Sequence, residues 1–200
     1  MKSGYVLRFS KTERLVHWVN ALGFFFLLAT GLILYLPSLS IMVGRRQFIQ
    51  EIHFWGGVSW VGALIVIAVL GDRRGLLRTA RELDVFARED VNWLARRSPR
   101  EQGRFNAGQK INAALNAAFL VLFLVSGLLL WFGEQDTRLR FASTVLLHDG
   151  LLYVSVALLI GHLYLSLIHP VTRHALRGIV LGTVREDWAR QHHSRWDAGE

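Results

Sequence analysis

The chain has 200 residues, of which 52% are hydrophobic; it has seven Trp, no Cys and a formal net charge of +8. That length allows a single domain, residues 1–200. The lack of cysteine excludes Cys-ligated iron–sulfur clusters, thioether-linked haem and disulfides. The positive balance would suit nucleic acid, but its distribution along the chain argues against that partner.

Four apolar stretches stand out: His17–Leu36, Ile52–Leu70, Ile111–Phe132 and Val145–Ile168. Each is close to the roughly 20 residues that a membrane-spanning helix needs. Lys2, Arg8, Lys11 and Arg14 precede the first stretch and imitate a signal peptide. The apolar run is too long for that and lacks a small-residue cleavage site, so a retained helix is expected.

Lys and Arg set the orientation. Four precede the first span, ten lie in the connection 71–110 and five follow Pro170, against two each in 37–51 and 133–143. The positive-inside rule therefore places both termini, the 71–110 loop and the 170–200 tail in the cytoplasm, where the same charges also attract anionic lipid. The expected fold class is an all-α membrane protein, a four-helix transmembrane bundle with interfacial cytoplasmic helices.

In the 71–110 loop, Leu76, Leu77, Ala80, Leu83, Val85 and Phe86 alternate with charge at near-helical spacing. This predicts one or two short interfacial helices, with Gly71 ending the second span and Ser98-Pro99 closing the loop helices. Beyond Pro170, Val171–Leu181 has the same character. Thr183, with Glu186 three residues on, then predicts a capped helix beginning at Thr183. No internal repeat and no glycine-rich phosphate loop is evident.

Four histidines fall in or at the ends of the spans. His148 and His162 are fourteen residues apart on the last span, on one helix face and roughly 21 Å apart in depth. His53 begins the second span on the outer side, and His17 begins the first on the cytoplasmic side. By depth, His53 pairs with His148 and His17 with His162. Ionisable groups inside a membrane are costly and point to function. Two neutral imidazoles on opposite faces of a porphyrin complete a six-coordinate iron, and a four-helix bundle can hold that cofactor. Two such sites at two depths would carry electrons across the membrane. A zinc site wants more ligands at one depth. A proton relay wants intramembrane carboxylates, and only Asp149 lies inside a span, near its edge. A haem-free membrane anchor or small transporter is the contrasting class.

The spans also carry Gly23, Gly31, Gly56, Gly57, Gly127, Gly150 and Gly161, where either a porphyrin edge or a neighbouring helix can approach. Trp18, Trp55, Trp60 and Trp131 suit an interfacial belt or a cofactor wall. Arg14, one turn before His17, is able to pair with a haem propionate or simply to set topology. His169 reads as a solvated helix end or a spare ligand, and His174, His192 and His193 as surface or partner-contact residues. The stretch Gly103–Lys110 combines amides, glycine and a positive charge. Asn106, Gly108 and Gln109 would suit the carbonyl of a quinone; alternatively Asn106 is a helix cap.

Together these residues resemble the cytochrome b (gamma) subunit of membrane-bound respiratory formate dehydrogenases. The resemblance covers nearly the whole chain: Arg14-Leu15-Val16-His17-Trp18, Ile52-His53, Gly103–Lys110, His148 and His162 with Leu163-Tyr164, and the tail Trp188–Trp196. The Arg-x-x-His-Trp element is shared with other di-haem b-type cytochromes, including the cytochrome b subunits of nickel–iron hydrogenases; such a subunit, or that of another molybdenum or tungsten oxidoreductase, is the alternative. The resemblance implies two haem b groups, the outer on His53 and His148 and the inner on His17 and His162. It implies a quinone site at Asn106, Gly108 and Gln109 near His162. It implies an iron–sulfur (beta) subunit as donor and a molybdenum or tungsten catalytic (alpha) subunit that oxidises formate. The location would be the bacterial cytoplasmic (inner) membrane, with trimers of the whole complex as the family's assembly. The chain itself would hold no formate site, and nucleic acid is not an expected partner.

Overall fold

A computed structural model describes residues 4–97 and 100–197. Four long helices dominate: α1 (Lys11–Tyr35), α3 (Arg46–Leu70), α6 (Ala107–Gln135) and α7 (Ala142–Leu163), the last continued by a π turn over Tyr164–Ile168. All four are long and apolar enough to cross a membrane. Only 0% to 11% of each apolar window is fully buried within the protein; the other side chains are half-buried or exposed. The side chains buried between the helices include Thr30, Ser126, Thr144 and Ser155. Apolar outside and hydroxyl-bearing inside is the polarity a lipid solvent imposes.

Each helix begins before the apolar stretch that announced it. α1 begins at Lys11 because Ser10 and Glu13 form a reciprocal cap: Glu13 N donates to Ser10 Oγ (3.2 Å) and Ser10 N to the Glu13 carboxylate (2.6 Å). The short α2 (Pro37–Val43) follows α1.

The chain divides into two compact units. In one, residues 15–71 and 119–155 form the paired helices around His53 and His148. Close approach there uses small residues. A Cβ at Gly23 would lie 2.3 Å from the Trp60 ring, and one at Gly56 2.3 Å from Phe26.

The other unit gathers residues 4–14, 72–118 and 156–197. Its 71–110 connection folds as α4 (Arg73–Asp84), capped by Asp72 Oδ1 accepting from Gly75 N (3.0 Å), and α5 (Arg88–Leu94), capped by Asp90 accepting from Ala87 N (2.9 Å). These are the two short helices expected; Ser98-Pro99, expected to close them, lies outside the described residues. Beyond the π turn come a 3-10 turn (Thr172–Ala175), α8 (Leu176–Leu181) and α9 (Glu186–His192).

Two expectations are corrected here. The helix predicted from Thr183 starts instead at Glu186, because Thr183–Arg185 is a strand, β2. It pairs antiparallel with β1 (Tyr5–Leu7), Val6 opposite the fully buried Val184. Gly182 makes this possible: at φ +87° it ends α8 in the left-handed region, and its carbonyl accepts from both Arg8 N (2.8 Å) and Phe9 N (3.1 Å). The second correction is His193, which is no surface residue. Only 3% exposed, it donates from Nδ1 to Gly103 O (2.7 Å). Its Nε2 therefore accepts from Arg8 Nη2 at 3.4 Å. Arg8 is itself 2% exposed, lying over the rings of Phe9, Trp188 and Trp196 at 5.3–5.9 Å. The tail continues as a backbone ladder, with Ser194 N donating to Arg100 O and Arg195 N to Gln102 O, both 3.1 Å.

Candidate cofactor-binding site

Within the helical unit a cavity of about 950 Å³ opens between α1, α3, α6 and α7. That is at the upper end of the volume range of ligand pockets, roughly 300–1,000 Å³. His53 of α3 and His148 of α7 both line it. Their ring centroids are 6.3 Å apart and their planes 72° apart. Two imidazoles bonded to one metal at about 2 Å each, with the bonding nitrogen roughly 1 Å from its ring centre, stand about 6 Å apart. The observed separation thus suits a metal between them. Among the described residues no group of three or more His, Asp or Glu forms a metal cluster, so any metal here takes the two imidazoles and must bring other ligands with it.

Each imidazole is braced from a second helix. Thr30 Oγ1 of α1 is 2.8 Å from His53 Nδ1, and Ser126 Oγ of α6 is 2.8 Å from His148 Nδ1. The next residue in each case is glycine. A Cβ on Gly31 would stand 3.3 Å from His53 Cε1, and one on Gly127 3.7 Å from His148 Cε1. The two glycines leave the ring edges clear, and both line the cavity.

The remaining wall is aromatic with a charged portion. Phe54 stacks on Trp131 with centroids 4.1 Å apart and planes 9° apart, and Phe24, Phe123 and Trp60 line the same space. Arg46, Gln50, Glu134 and Arg140 also line it. Arg46 Nη1 donates to Leu34 O (2.7 Å) and Gln50 Nε2 to Glu134 Oε1 (2.7 Å). A largely apolar cavity of this volume, with cations in its lining and two facing imidazoles, fits a porphyrin with its carboxylates. Sequence reasoning found the two histidines and the glycines. It missed Thr30, Ser126, Arg46 and Arg140.

The start of α6, in the other unit, is built by its amides. Gln109 N donates to Asn106 Oδ1 and Asn106 N to Gln109 Oε1, each at 3.0 Å. Because both side-chain oxygens are held as acceptors, each amide keeps its NH2 group as donor. Trp93 covers Gly108, where a Cβ would lie 3.1 Å from the indole. Lys110 is a cation in the first turn, the unfavourable end of the helix dipole. Asp90, 1% exposed, compensates by accepting from Lys110 Nζ at 2.7 Å, and Val85 O accepts from it too (2.8 Å).

The other candidates are placed as follows. His17 belongs to the helical unit, its ring edge-on to Trp18 with centroids 5.5 Å apart. His162 is near the end of α7 in the other unit, immediately before the π turn. Straight helical spacing would put His169, seven residues on, on nearly the face of His162; the turn carries an extra residue and rotates it away. His169 Nδ1 instead accepts from Thr172 N (3.4 Å) and lies 3.1 Å from Thr172 Oγ1, as a cap on the following turn. Arg14 donates Nε to Ile179 O (3.2 Å) and Nη2 to Val180 O, holding the last carbonyls of α8.

A family model of prokaryotic cytochrome b561 matches residues 8–182 of this chain. Among similar proteins is the formate dehydrogenase cytochrome b556(fdo) subunit of Escherichia coli K12, 27% identical over 200 residues, covering 96% of this chain and 91% of that one. The formate dehydrogenase cytochrome b556 subunit of Haemophilus influenzae is 25% identical over 207 residues, covering 96% and 82%. The nitrate-inducible cytochrome b556(Fdn) subunit of Escherichia coli K12 is 22% identical over 210 residues, covering 98% and 91%.

Proposed function

The chain belongs to the prokaryotic cytochrome b561 family, haem b proteins of the membrane, and from that premise we propose that it is the di-haem electron-transfer subunit of a formate dehydrogenase complex, delivering electrons to quinone. The observation that carries this is the facing pair His53 and His148, 6.3 Å apart in a cavity of about 950 Å³. Haem b, when bound, supplies one-electron transfer. The chain's residues supply the rest. His53 and His148 would each offer one ring nitrogen to the iron. Gly31 and Gly127 leave room for the ring beside them, and Arg46 and Arg140 offer positive charge to its carboxylates.

The inner haem is assigned to His17 and His162 on sequence depth alone. Arg14, which already holds the last carbonyls of α8, is the proposed partner for a propionate of that haem. The quinone site is assigned to Asn106, Gly108 and Gln109 with His162. There the amide NH2 groups of Asn106 and Gln109 would donate to a quinone carbonyl. The names of the relatives favour a formate dehydrogenase over a hydrogenase as donor complex. An iron–sulfur subunit and a molybdenum or tungsten subunit are the partners. The location is the bacterial inner membrane, with both termini and the quinone site on the cytoplasmic side.

A reduced-minus-oxidised absorption spectrum of the purified protein, with haem counted per chain, tests the reading. Two low-spin b haems are expected. His53→Ala or His148→Ala should remove one and leave the other, and His17→Ala should remove the second. A wild-type protein without haem, made with sufficient iron and correctly folded, would sink the electron-transfer reading.

A further inference from the structure

We propose that Thr30 and Ser126 are positioning residues that fix the tautomer and ring plane of His53 and His148, and thereby tune the potential of the haem these histidines hold. The inference rests on the reading of that pair as haem ligands and goes beyond it to two residues on other helices.

A hydroxyl has one proton to give and lone pairs to receive. Thr30 Oγ1 lies 3.0 Å from Phe26 O, one turn back on its own helix, and Ser126 Oγ lies 2.7 Å from Leu122 O in the same relation. Each hydroxyl therefore donates to its helix, the usual satisfaction of Ser and Thr in such a setting. Its 2.8 Å contact with the histidine must then be one in which it accepts. The proton lies on Nδ1 of both imidazoles. A neutral imidazole has a single N–H, so Nε2 of both rings carries a free lone pair. The opposite tautomer would force each hydroxyl to abandon its helix carbonyl and point its proton at the ring.

Burial makes this firm. Thr30 is 8% exposed and Ser126 0%, so both hydroxyls depend chiefly on protein partners. The arrangement also occurs twice. Thr30-Gly31-Leu32 lies on α1, and Thr30 stands 23 residues before His53. Ser126-Gly127-Leu128 lies on α6, and Ser126 stands 22 residues before His148. Each helical hairpin thus delivers one imidazole, one hydroxyl acceptor and one glycine. Packing alone would need neither the matching hydroxyls nor the matching order.

A second partner on the distal ring nitrogen orients the ligand and raises its basicity, and a more basic ligand favours the ferric state. Loss of either hydroxyl should therefore raise the midpoint potential of that one haem. It should also free the ring to rotate, and the 72° between the imidazole planes would change.

The test uses the assembled, haem-loaded complex with Thr30→Val, Ser126→Ala and the hydroxyl-retaining Thr30→Ser and Ser126→Thr. Haem content is counted first. Both haems are then titrated for midpoint potential, and the leading g value of the ferric resonance, which reports the angle between ligand planes, is recorded. The expected result is an upward shift and an altered g value for the same haem in Thr30→Val and Ser126→Ala. The other haem should be unmoved and both conservative variants close to wild type. Should Thr30→Val fail to load haem while Thr30→Ser loads fully, the hydroxyl is again shown to matter. Loaded Thr30→Val and Ser126→Ala proteins with wild-type potentials and g values overturn the proposal. So does equal failure of Thr30→Val and Thr30→Ser. Full retention of both haems in His53→Ala would instead remove the underlying ligand assignment, an outcome visible in the haem count alone.

Discussion

Arg8 and Arg104 exchange hydrogen bonds despite their like charge. Arg8 Nη2 donates to Arg104 O at 2.8 Å, and Arg104 Nη1 donates to Arg8 O at 3.0 Å. Two cations can be this close because each has its own compensation. Arg8 lies over aromatic faces, and burial with the nearby Arg104 charge lowers its pKa from 12.5 to about 9, which still leaves it charged at neutral pH. Arg104 is neutralised by Glu13 (2.9 Å) and Glu82 (2.6 Å) and bonds Thr79. One pair of side chains thus ties the strand at the N-terminus to the segment leading into α6.

Arg104→Ala should destabilise this unit by roughly 3 kcal/mol or more, because it leaves the mostly buried Glu13 carboxylate without its cation. Arg104→Ala combined with Glu13→Gln should recover part of the loss. Thermal unfolding of the purified protein in detergent checks both. Equal midpoints for the single and double variants would show that the ion pair is not what Arg104 contributes.

Docking of the C-terminal tail should weaken in acid. Burial, then the charge of Arg8, lowers the His193 pKa from 6.5 to about 3. Between those values the undocked histidine binds a proton that the docked one refuses, so stability rises with pH across that window. The contribution is fully present above about pH 6.5 and is lost progressively as pH falls toward 3. Protease cleavage of the tail should accelerate over that range. His193→Gln, which cannot take up the proton, should flatten the dependence. An unchanged pH profile in that variant would assign the effect to other groups.

The legible parts of the molecule were those fixed by local chemistry. Lipid demands long apolar runs, so the four spans could be read directly; Ser10 with Glu13, the same cap pattern as Thr183 with Glu186, also marked the start of α1 ahead of its apolar run. The pairing of His53 with His148 followed from depth, because helical rise is constant. The β1–β2 ladder was illegible, since nothing local to Thr183 announces a partner at Leu7, and Thr183 with Glu186 satisfies a helix-cap pattern equally well. His193 looked like surface because its neighbours are polar; its burial depends on Arg8, which lies 185 residues away. Thr30 and Ser126 did leave a signal, a hydroxyl-Gly-Leu triplet recurring before each histidine, too short to stand out as a repeat.

The two glycines beside the imidazoles should differ in tolerance. A Cβ at Gly31 would press on His53 Cε1 at 3.3 Å, tighter than ordinary contact, while one at Gly127 meets His148 Cε1 at a comfortable 3.7 Å. Gly31→Ala should lower the occupancy of the haem assigned to this pair more than Gly127→Ala does. Haem per chain, from the pyridine haemochrome spectrum, gives the comparison. Greater loss in Gly127→Ala would mean that the ring approaches from the other side.

The two roles of Gln109 can be separated by one atom. Its Oε1 closes the cap by accepting from Asn106 N, and its NH2 is the group assigned to quinone. Gln109→Ala loses both, costing about 1 kcal/mol at the start of α6 and slowing quinol formation. Gln109→Glu keeps an acceptor for Asn106 N and places a carboxylate at the favourable end of the helix dipole, but has no NH2 to donate. It should keep the wild-type thermal midpoint and haem spectrum and still reduce quinone slowly when electrons are supplied from dithionite-reduced haem. If Gln109→Glu reoxidises with quinone at the wild-type rate, Gln109 is a cap only, and the quinone site must be sought without it.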